Sequence, residues 1–205
     1  MTTNLGKVGA IGRFRPFHLG AYVMLDELCK QAQEVVIGIG SANIYDRRNP
    51  FTAEETETMI RAALHHDNYK IIHVPDFGYQ QEHQDGQRWR QHVKEQFKEL
   101  DLFVSGNAWV RDLLKDDYPV KAPAELIPRE RWIPVKGSLV RITMARGGND
   151  WKECVPEEVA MYLEQHHLVE RFRKEFGLQT LSMLTELQHL REDAATEKYH
   201  VNSRS

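Results

Sequence analysis

The chain has 205 residues, 41% of them hydrophobic and 28% charged, with a formal net charge of −3. That size and balance suit one globular α/β domain with a C-terminal extension, and they exclude the global basic field that nucleic-acid binding would call for. The longest apolar run, near Val35 to Ile39, is far too short to span a bilayer, and Cys29 and Cys154 lie outside any paired motif, so a cytoplasmic, reducing setting is expected.

Leu5 to Ile11 reads as a buried strand. Residues 19–32 follow as a helix with Tyr22, Leu25, Leu28, Cys29 and Ala32 on one stripe. Glu34 to Ser41 is a second strand, rich in Val and Ile. After a polar loop, Thr52-Ala53-Glu54-Glu55 has the form of a capping box and opens a helix with Met59, Ile60, Ala63 and Leu64 on its apolar face. Lys70 to Val74 is a third strand, and residues 77–87 read as a loop. Trp89, Val93 and Phe97 recur at helical spacing. Leu100 to Val104 is a fourth strand ending in Ser105-Gly106-Asn107. A short helix follows, then a proline-punctuated stretch, Pro119 to Pro134, that holds the fifth strand. Helices are expected around 138–146, 156–166 and 168–175. Residues 178–192 carry Leu178, Leu181, Leu184, Leu187 and Leu190, a helix pattern suited to packing on the domain or on another subunit. Strands alternating with helices predict a Rossmann-like, doubly wound parallel sheet with a C-terminal helical extension.

In such a sheet ligands bind outside the C-terminal strand ends. Gly12-Arg13, Gly40-Ser41 and Ser105-Gly106-Asn107 would therefore face one crevice. Arg13, Arg15 and His18 sit where a strand hands over to a helix N-terminus, a place whose free N–H groups and dipole attract anions. The Ile44 to Arg48 loop brings Arg47 and Arg48 to the same end. Ser138 is a candidate N-cap with Arg141 one turn beyond, so that a phosphate there could receive the Ser138 hydroxyl, backbone N–H groups and Arg141 together. Asp76 could ligate a metal, bond a substrate amide or cap a turn. Trp89 is equally a core residue or a stacking platform. His65-His66 and His166-His167 are adjacent pairs at helix ends, which do not share a face, so no metal-ligand set is expected from them.

Residues 12–21, Gly-Arg-Phe-Arg-Pro-Phe-His-Leu-Gly-Ala, resemble the H-x-G-H signature of nucleotidyltransferases, with Ala21 at the second histidine. Ile39-Gly40-Ser41-Ala42-Asn43, Asn49-Pro50-Phe51-Thr52-Ala53, Val104-Ser105-Gly106-Asn107, Gly137-Ser138-Leu139-Val140-Arg141 and a C-terminal set (Asp150-Trp151, Val155-Pro156, Val169-Glu170-Arg171) follow in order. Together they resemble the archaeal-type nicotinamide-nucleotide adenylyltransferases over about residues 5–176. The resemblance implies a nucleotidyltransferase domain over 1–176, with 177–205 as a C-terminal helix and polar tail.

It also implies a reaction: AMP passes from ATP to nicotinamide mononucleotide, giving NAD and pyrophosphate, with Mg²⁺ bridging the polyphosphate. By position, His18, Ser41, Arg48 and Arg141 would hold phosphates, the first, third and fourth as catalytic groups. Gly12, Arg13, Phe14, Asn107 and Ser138 would line the nucleotide site. Trp89 would stack near the nicotinamide and Asp76 would bond near its carboxamide. A homo-oligomer is implied as well. The departures are Ala21, Arg15 in place of glutamine, Lys136 in place of serine, and a longer 77–88 connection. Either Arg15 or Lys136 could supply the cation that Ala21 removes. The alternatives are a nucleotide-binding or sensor protein with impaired chemistry, or an adenylyltransferase for another phosphate monoester.

Overall fold

The computed structural model describes residues 4–78 and 80–183. Five strands form the sheet: β1 (Lys7–Gly12), β2 (Glu34–Gly40), β3 (Tyr69–Val74), β4 (Leu102–Val104) and β5 (Val120–Lys121). All neighbours are parallel and the order is β3-β2-β1-β4-β5. The chain winds outward from β1 in one direction and then returns to build the other side, which is the doubly wound arrangement the alternating pattern predicts. β1 begins later than the apolar run suggests, because the Leu5 N–H bonds the Gln31 carbonyl at 2.8 Å instead of joining the sheet.

Side-chain alternation along the central strands feeds two cores. Val8, Ala10, Val35, Ile37, Ile39, Leu102 and Val104 point to one face, and Ile11, Val36 and Phe103 to the other. The first face is covered by α1 (Leu19–Gln31), α2 (Ala53–Ala63) and three later helices, α5 (Gly137–Ala145), α6 (Glu157–Gln165) and α7 (Leu168–Phe172). The second is covered by α3 (Gln87–Phe97) and α4 (Ala108–Leu114), through Val93, Phe97, Val110 and Leu114.

The capping box at α2 is formed: Glu55 N–H donates to Thr52 Oγ1 at 3.2 Å and Thr52 N–H to Glu55 Oε2 at 2.9 Å. α7 continues through a wider turn at Arg173–Gly177 into further helix at 178–183. Leu178 there is exposed, and Leu184, Leu187 and Leu190 of the leucine pattern lie outside the described residues. No helix of the described residues is long and apolar enough to cross a membrane.

α1 is buried beyond the single stripe that its periodicity predicts: Val23, Met24, Asp26 and Glu27 are buried too. The cause is the segment after β5, which crosses the outer side of the helix. Arg131 pairs there with Asp26 at 2.8 Å and with Glu27, while Lys30 and His66 also bond Asp26, at 2.6 and 2.9 Å. These partners favour the charged carboxylate and hold Asp26 down at about 2 although burial pushes the other way. The same segment runs over Gly20, where a Cβ would lie 2.3 Å from the Val135 carbonyl oxygen and 2.9 Å from that of Ile133. Both obstacles are backbone, so a side chain there forces the segment off α1. Gly20→Ala is expected to cost about 1–3 kcal/mol through overpacking, read as a lower denaturant midpoint at unchanged m-value. An unchanged midpoint would show that the segment shifts freely.

Candidate active site

β1 ends at Gly12, and the next six residues turn the chain into α1. Phe14 takes a left-handed conformation (φ 53°) that folds its ring back over Gly12, where a Cβ would lie 2.7 Å from that ring. Phe14 is buried and meets Phe17 edge-on at 6.2 Å. His18 then caps α1: its Nδ1 accepts from the Ala21 N–H at 3.2 Å. With Nδ1 accepting, a neutral ring carries its proton on Nε2 and keeps that donor for a ligand.

The ends of β2 and β3 are tied to this turn and to each other. Ser41, also left-handed (φ 51°), donates its hydroxyl to Asp76 Oδ2 at 3.1 Å. Asn43 bonds both the N–H and the carbonyl of Asp76, at 2.6 and 2.9 Å. Arg15 Nη1 donates to the carbonyls of Ser41 and Ile44, at 2.9 and 3.3 Å. The loop beyond is shaped by Asp46, whose Oδ1 accepts from the N–H groups of Arg48 and Asn49 and from the Asn49 amide.

A cavity of about 1010 Å³ opens at the C-terminal edge of the sheet. Gly12, Arg13, Phe14, His18 and Ala21 form one side; Ser41, Asp46 and Arg48 form the second; Asp76 and Trp89 form the third. Ser105, Gly106 and Asn107 complete it from β4, and Asn107 also caps α4 by accepting the Trp109 N–H at 3.0 Å. Arg141 stands behind this wall, donating Nη1 to the Arg15 carbonyl at 2.6 Å.

The charges here are unbalanced. Arg13 is pushed below its usual value by burial and by Arg48. Arg141 is lowered to about 10 by burial, then by Arg13 and Arg48, and Arg15 to about 10 by burial and Arg13. His18 falls to about 4 through burial and Arg141, so its ring is neutral near pH 7. Crowded cations facing few carboxylates suit a polyanion such as a polyphosphate chain. Among the described residues no group of three or more His, Cys, Asp or Glu side chains could hold a metal ion; Asp46 and Asp76 are the carboxylates on the cavity wall.

Of the residues expected from the sequence, Gly12, Arg13, Phe14, His18, Ser41, Arg48, Asp76, Trp89 and Asn107 all reach the cavity. Ser138 does not cap α5. The helix begins at Gly137 with Lys136 as its N-cap residue, and Ser138 is an exposed first-turn residue. The start of α5 sits close to the turn after β1: a Cβ at Gly137 would lie 3.2 Å from the Arg15 carbonyl oxygen. Arg15 is 1% exposed and spent on the two carbonyls, so of the two candidate replacement cations only Lys136 lines the cavity. Trp109 and Trp132 also line it, 51% and 43% exposed, and Trp109 lies 6.2 Å from Trp89. Neither had a distinguishing sequence pattern. The Asp46 turn did leave a signal, an Asp three residues before an Asn at a strand exit.

Residues 10–147 match the model of a family described as cytidylyltransferase-like. The chain is 32% identical over 167 residues to a nicotinamide-nucleotide adenylyltransferase of Methanothrix thermoacetophila, covering 80% of this chain and 92% of that one. It is 34% identical over 164 residues to the enzyme of the same name from Methanolobus tindarius, covering 80% and 90%. Among solved structures, the fold matches a bifunctional NMN adenylyltransferase/ADP ribose pyrophosphatase from Francisella tularensis, crystallised with AMP and a manganese ion, at a TM-score of 0.59 and 18% identity. The alignment covers 94% of this chain and 56% of that one, so the chain spans little more than half of the bifunctional protein.

The neutrality of His18 has a measurable sign. Its folded value of about 4 lies below the ordinary 6.5, so the stability it contributes is present above 6.5 and is lost as pH falls towards 4. The His18 ring should titrate near pH 4 by NMR in the free protein, and inorganic tripolyphosphate should raise that midpoint by favouring the imidazolium. A midpoint above 6 without ligand would contradict the burial and the nearby Arg141 charge.

Proposed function

The chain belongs to the cytidylyltransferase-like family, and from that membership and its adenylyltransferase relatives we propose that it makes NAD by transferring AMP from ATP to nicotinamide mononucleotide. The observation that carries the reading is the convergence of neutral His18 with Arg13 and Arg48 on the cavity wall at the open ends of β1 and β2, backed by the charge of Arg141 behind that wall. A 5′-phosphate oxygen of the acceptor forms a bond to the α-phosphorus of ATP. The bond from that phosphorus to the bridging oxygen breaks, and pyrophosphate leaves. No covalent help from the protein is needed; positioning and charge stabilisation suffice.

In this reading His18 donates Nε2–H to the reacting phosphates, with Arg48 and Arg141 on the polyphosphate and Ser41 beside them. Arg13, Phe14, Gly12 and Asn107 line the nucleotide crevice. Trp89, in contact with Trp109, offers an aromatic face to the nicotinamide, and Asp76 lies at the same end. Ser138, exposed in the first turn of α5, remains a phosphate contact only through its hydroxyl. Nucleotidyltransferases use a divalent cation, and Mg²⁺ is the one proposed here. Asp46 and Asp76 are already bonded to the Asp46 turn and to Ser41. The site therefore fits a cation held chiefly by phosphate oxygens and water, as Mg²⁺ prefers. Such a cation supplies neutralisation of charge developing on the phosphoryl oxygens. A homo-oligomer and a cytoplasmic setting belong to the same proposal.

The test is pyrophosphate release from ATP and Mg²⁺, with and without nicotinamide mononucleotide, while NAD is followed. Acceptor-dependent release with matching NAD is expected. Saturable ATP binding with no release would favour a nucleotide-binding protein whose chemistry was lost at Ala21. Release that follows a different phosphate monoester would change the acceptor only. Lys136, on the same wall as Ala21 and His18, is assigned the missing cationic role. Lys136→Ala should lower kcat by about 10²-fold, the usual cost of one transition-state donor, and Ala21→His should restore most of it. Failure of Ala21→His to compensate, or a loss below about threefold, would remove Lys136 from that role.

A further inference from the structure

The loop that carries Arg47 and Arg48 is gripped from outside the cavity, by the end of the domain. Arg171 on α7 forms a fork with Glu55: Nη1 donates to Oε1 at 2.6 Å and Nη2 to Oε2 at 2.7 Å. Nη2 also donates to the Pro50 carbonyl at 3.1 Å. On the other side of Arg48, the Tyr45 ring lies 5.8 Å from the same guanidinium. The Tyr45 hydroxyl bonds Glu175, and its ring meets Phe176 edge-on at 5.3 Å. Phe172 packs on Phe51 at 6.3 Å. One short stretch, residues 171–176, thus touches residues 45, 50, 51 and 55 and brackets Arg47 and Arg48 on both sides.

Resting on the adenylyltransferase reading, we infer that Arg171 is a positioning residue for catalysis, acting through Arg48. Within the loop, the Asp46 turn orders residues 46–49 but does not fix where the turn sits relative to β1. Arg15 anchors the start of the loop through the Ser41 and Ile44 carbonyls, and the placement of its far half comes from the Arg171 fork, which holds Pro50 and the first turn of α2, with Tyr45 on the other flank. Glu55 serves two masters at once: Oε2 accepts from Thr52 N–H in the capping box and from Arg171. A rotation of Glu55 would therefore move the start of α2 and the loop together. Planar, bidentate geometry is needed for this, and a lysine supplies only a point charge. Arg171 Nε is buried and meets no partner among the described residues, so within them the guanidinium is held by its Nη fork. Displacing a phosphate-binding cation by about 1 Å is enough to slow a positioned transfer by up to about 10²-fold.

A double-mutant cycle reads this directly. Arg171→Lys is expected to lower kcat about tenfold while the acceptor KM stays within twofold. In an Arg48→Ala background the same change should lower kcat by less than about twofold, because the group it positions is gone. Equal losses in both backgrounds would overturn the inference and leave Arg171 a structural residue. Tyr45→Phe, which keeps the ring and loses the bond to Glu175, should show the same Arg48-dependent loss at smaller size; it decides the question if Arg171→Lys fails to fold. If the unaltered protein releases no pyrophosphate, the adenylyltransferase reading fails by itself. The cycle is then read on ATP affinity: weakening by Arg171→Lys that disappears in Arg48→Ala supports the inference, and weakening that persists overturns it.

Discussion

Like charges must be held together in this molecule without being neutralised. Arg13 and Arg141 are held below their ordinary values by burial and by neighbouring cations around a single crevice, and His18 is kept neutral beside them. Carboxylate partners would hold these groups firmly but would also cancel the field a polyanion needs. Around the crevice several arginines are held by backbone carbonyls instead. Arg141 bonds the Arg15 carbonyl, Arg15 bonds those of Ser41 and Ile44, and Arg111 on α4 bonds that of Ser105 at 2.7 Å. A carbonyl supplies a dipole and a fixed direction with no net charge. Farther from the crevice, Arg131, Arg171, Arg90 and Lys94 are paired with carboxylates.

The rest of the fold serves that arrangement. A parallel sheet wound outward from β1 puts the C-terminal ends of β1, β2, β3 and β4 at one edge, so four loops converge with no strand out of place. Both faces are sealed by helices, and the two cores leave the sheet little freedom to bend. α1, whose N-terminus forms part of the site, is clamped on its outer side by the segment that crosses Gly20. That same segment delivers Lys136 and the start of α5 to the cavity. The C-terminal helices then brace α2 and the Arg48 loop from the far side.

Two departures from the family pattern acquire separate meanings in three dimensions. Arg15 is an internal tie: one of its nitrogens joins the turn after β1 to the loop after β2, while Nε and Nη2 are buried with no partner among the described residues. Ala21 opens onto the cavity, and its backbone N–H still completes the cap on His18. The substitution therefore removes a side chain from the site without disturbing the histidine that remains.

Periodicity and turn chemistry in the sequence determined the elements, their alternation, the parallel sheet and the capping box, because these depend on contacts within a few residues or on a side chain's face. The motif residues at strand ends were legible for the same reason: a doubly wound sheet sends every strand exit to one edge. Local pattern misplaced the start of β1, the buried breadth of α1 and the cap of α5, each where a distant segment packs against the element. What only the tertiary structure decided was which cations face the crevice and which are spent elsewhere. Arg15, Arg48, Arg131, Arg141 and Arg171 look alike in sequence. Their roles follow from whether a carbonyl, a carboxylate or open space lies at the end of each side chain, and that is set by segments brought together from distant parts of the chain.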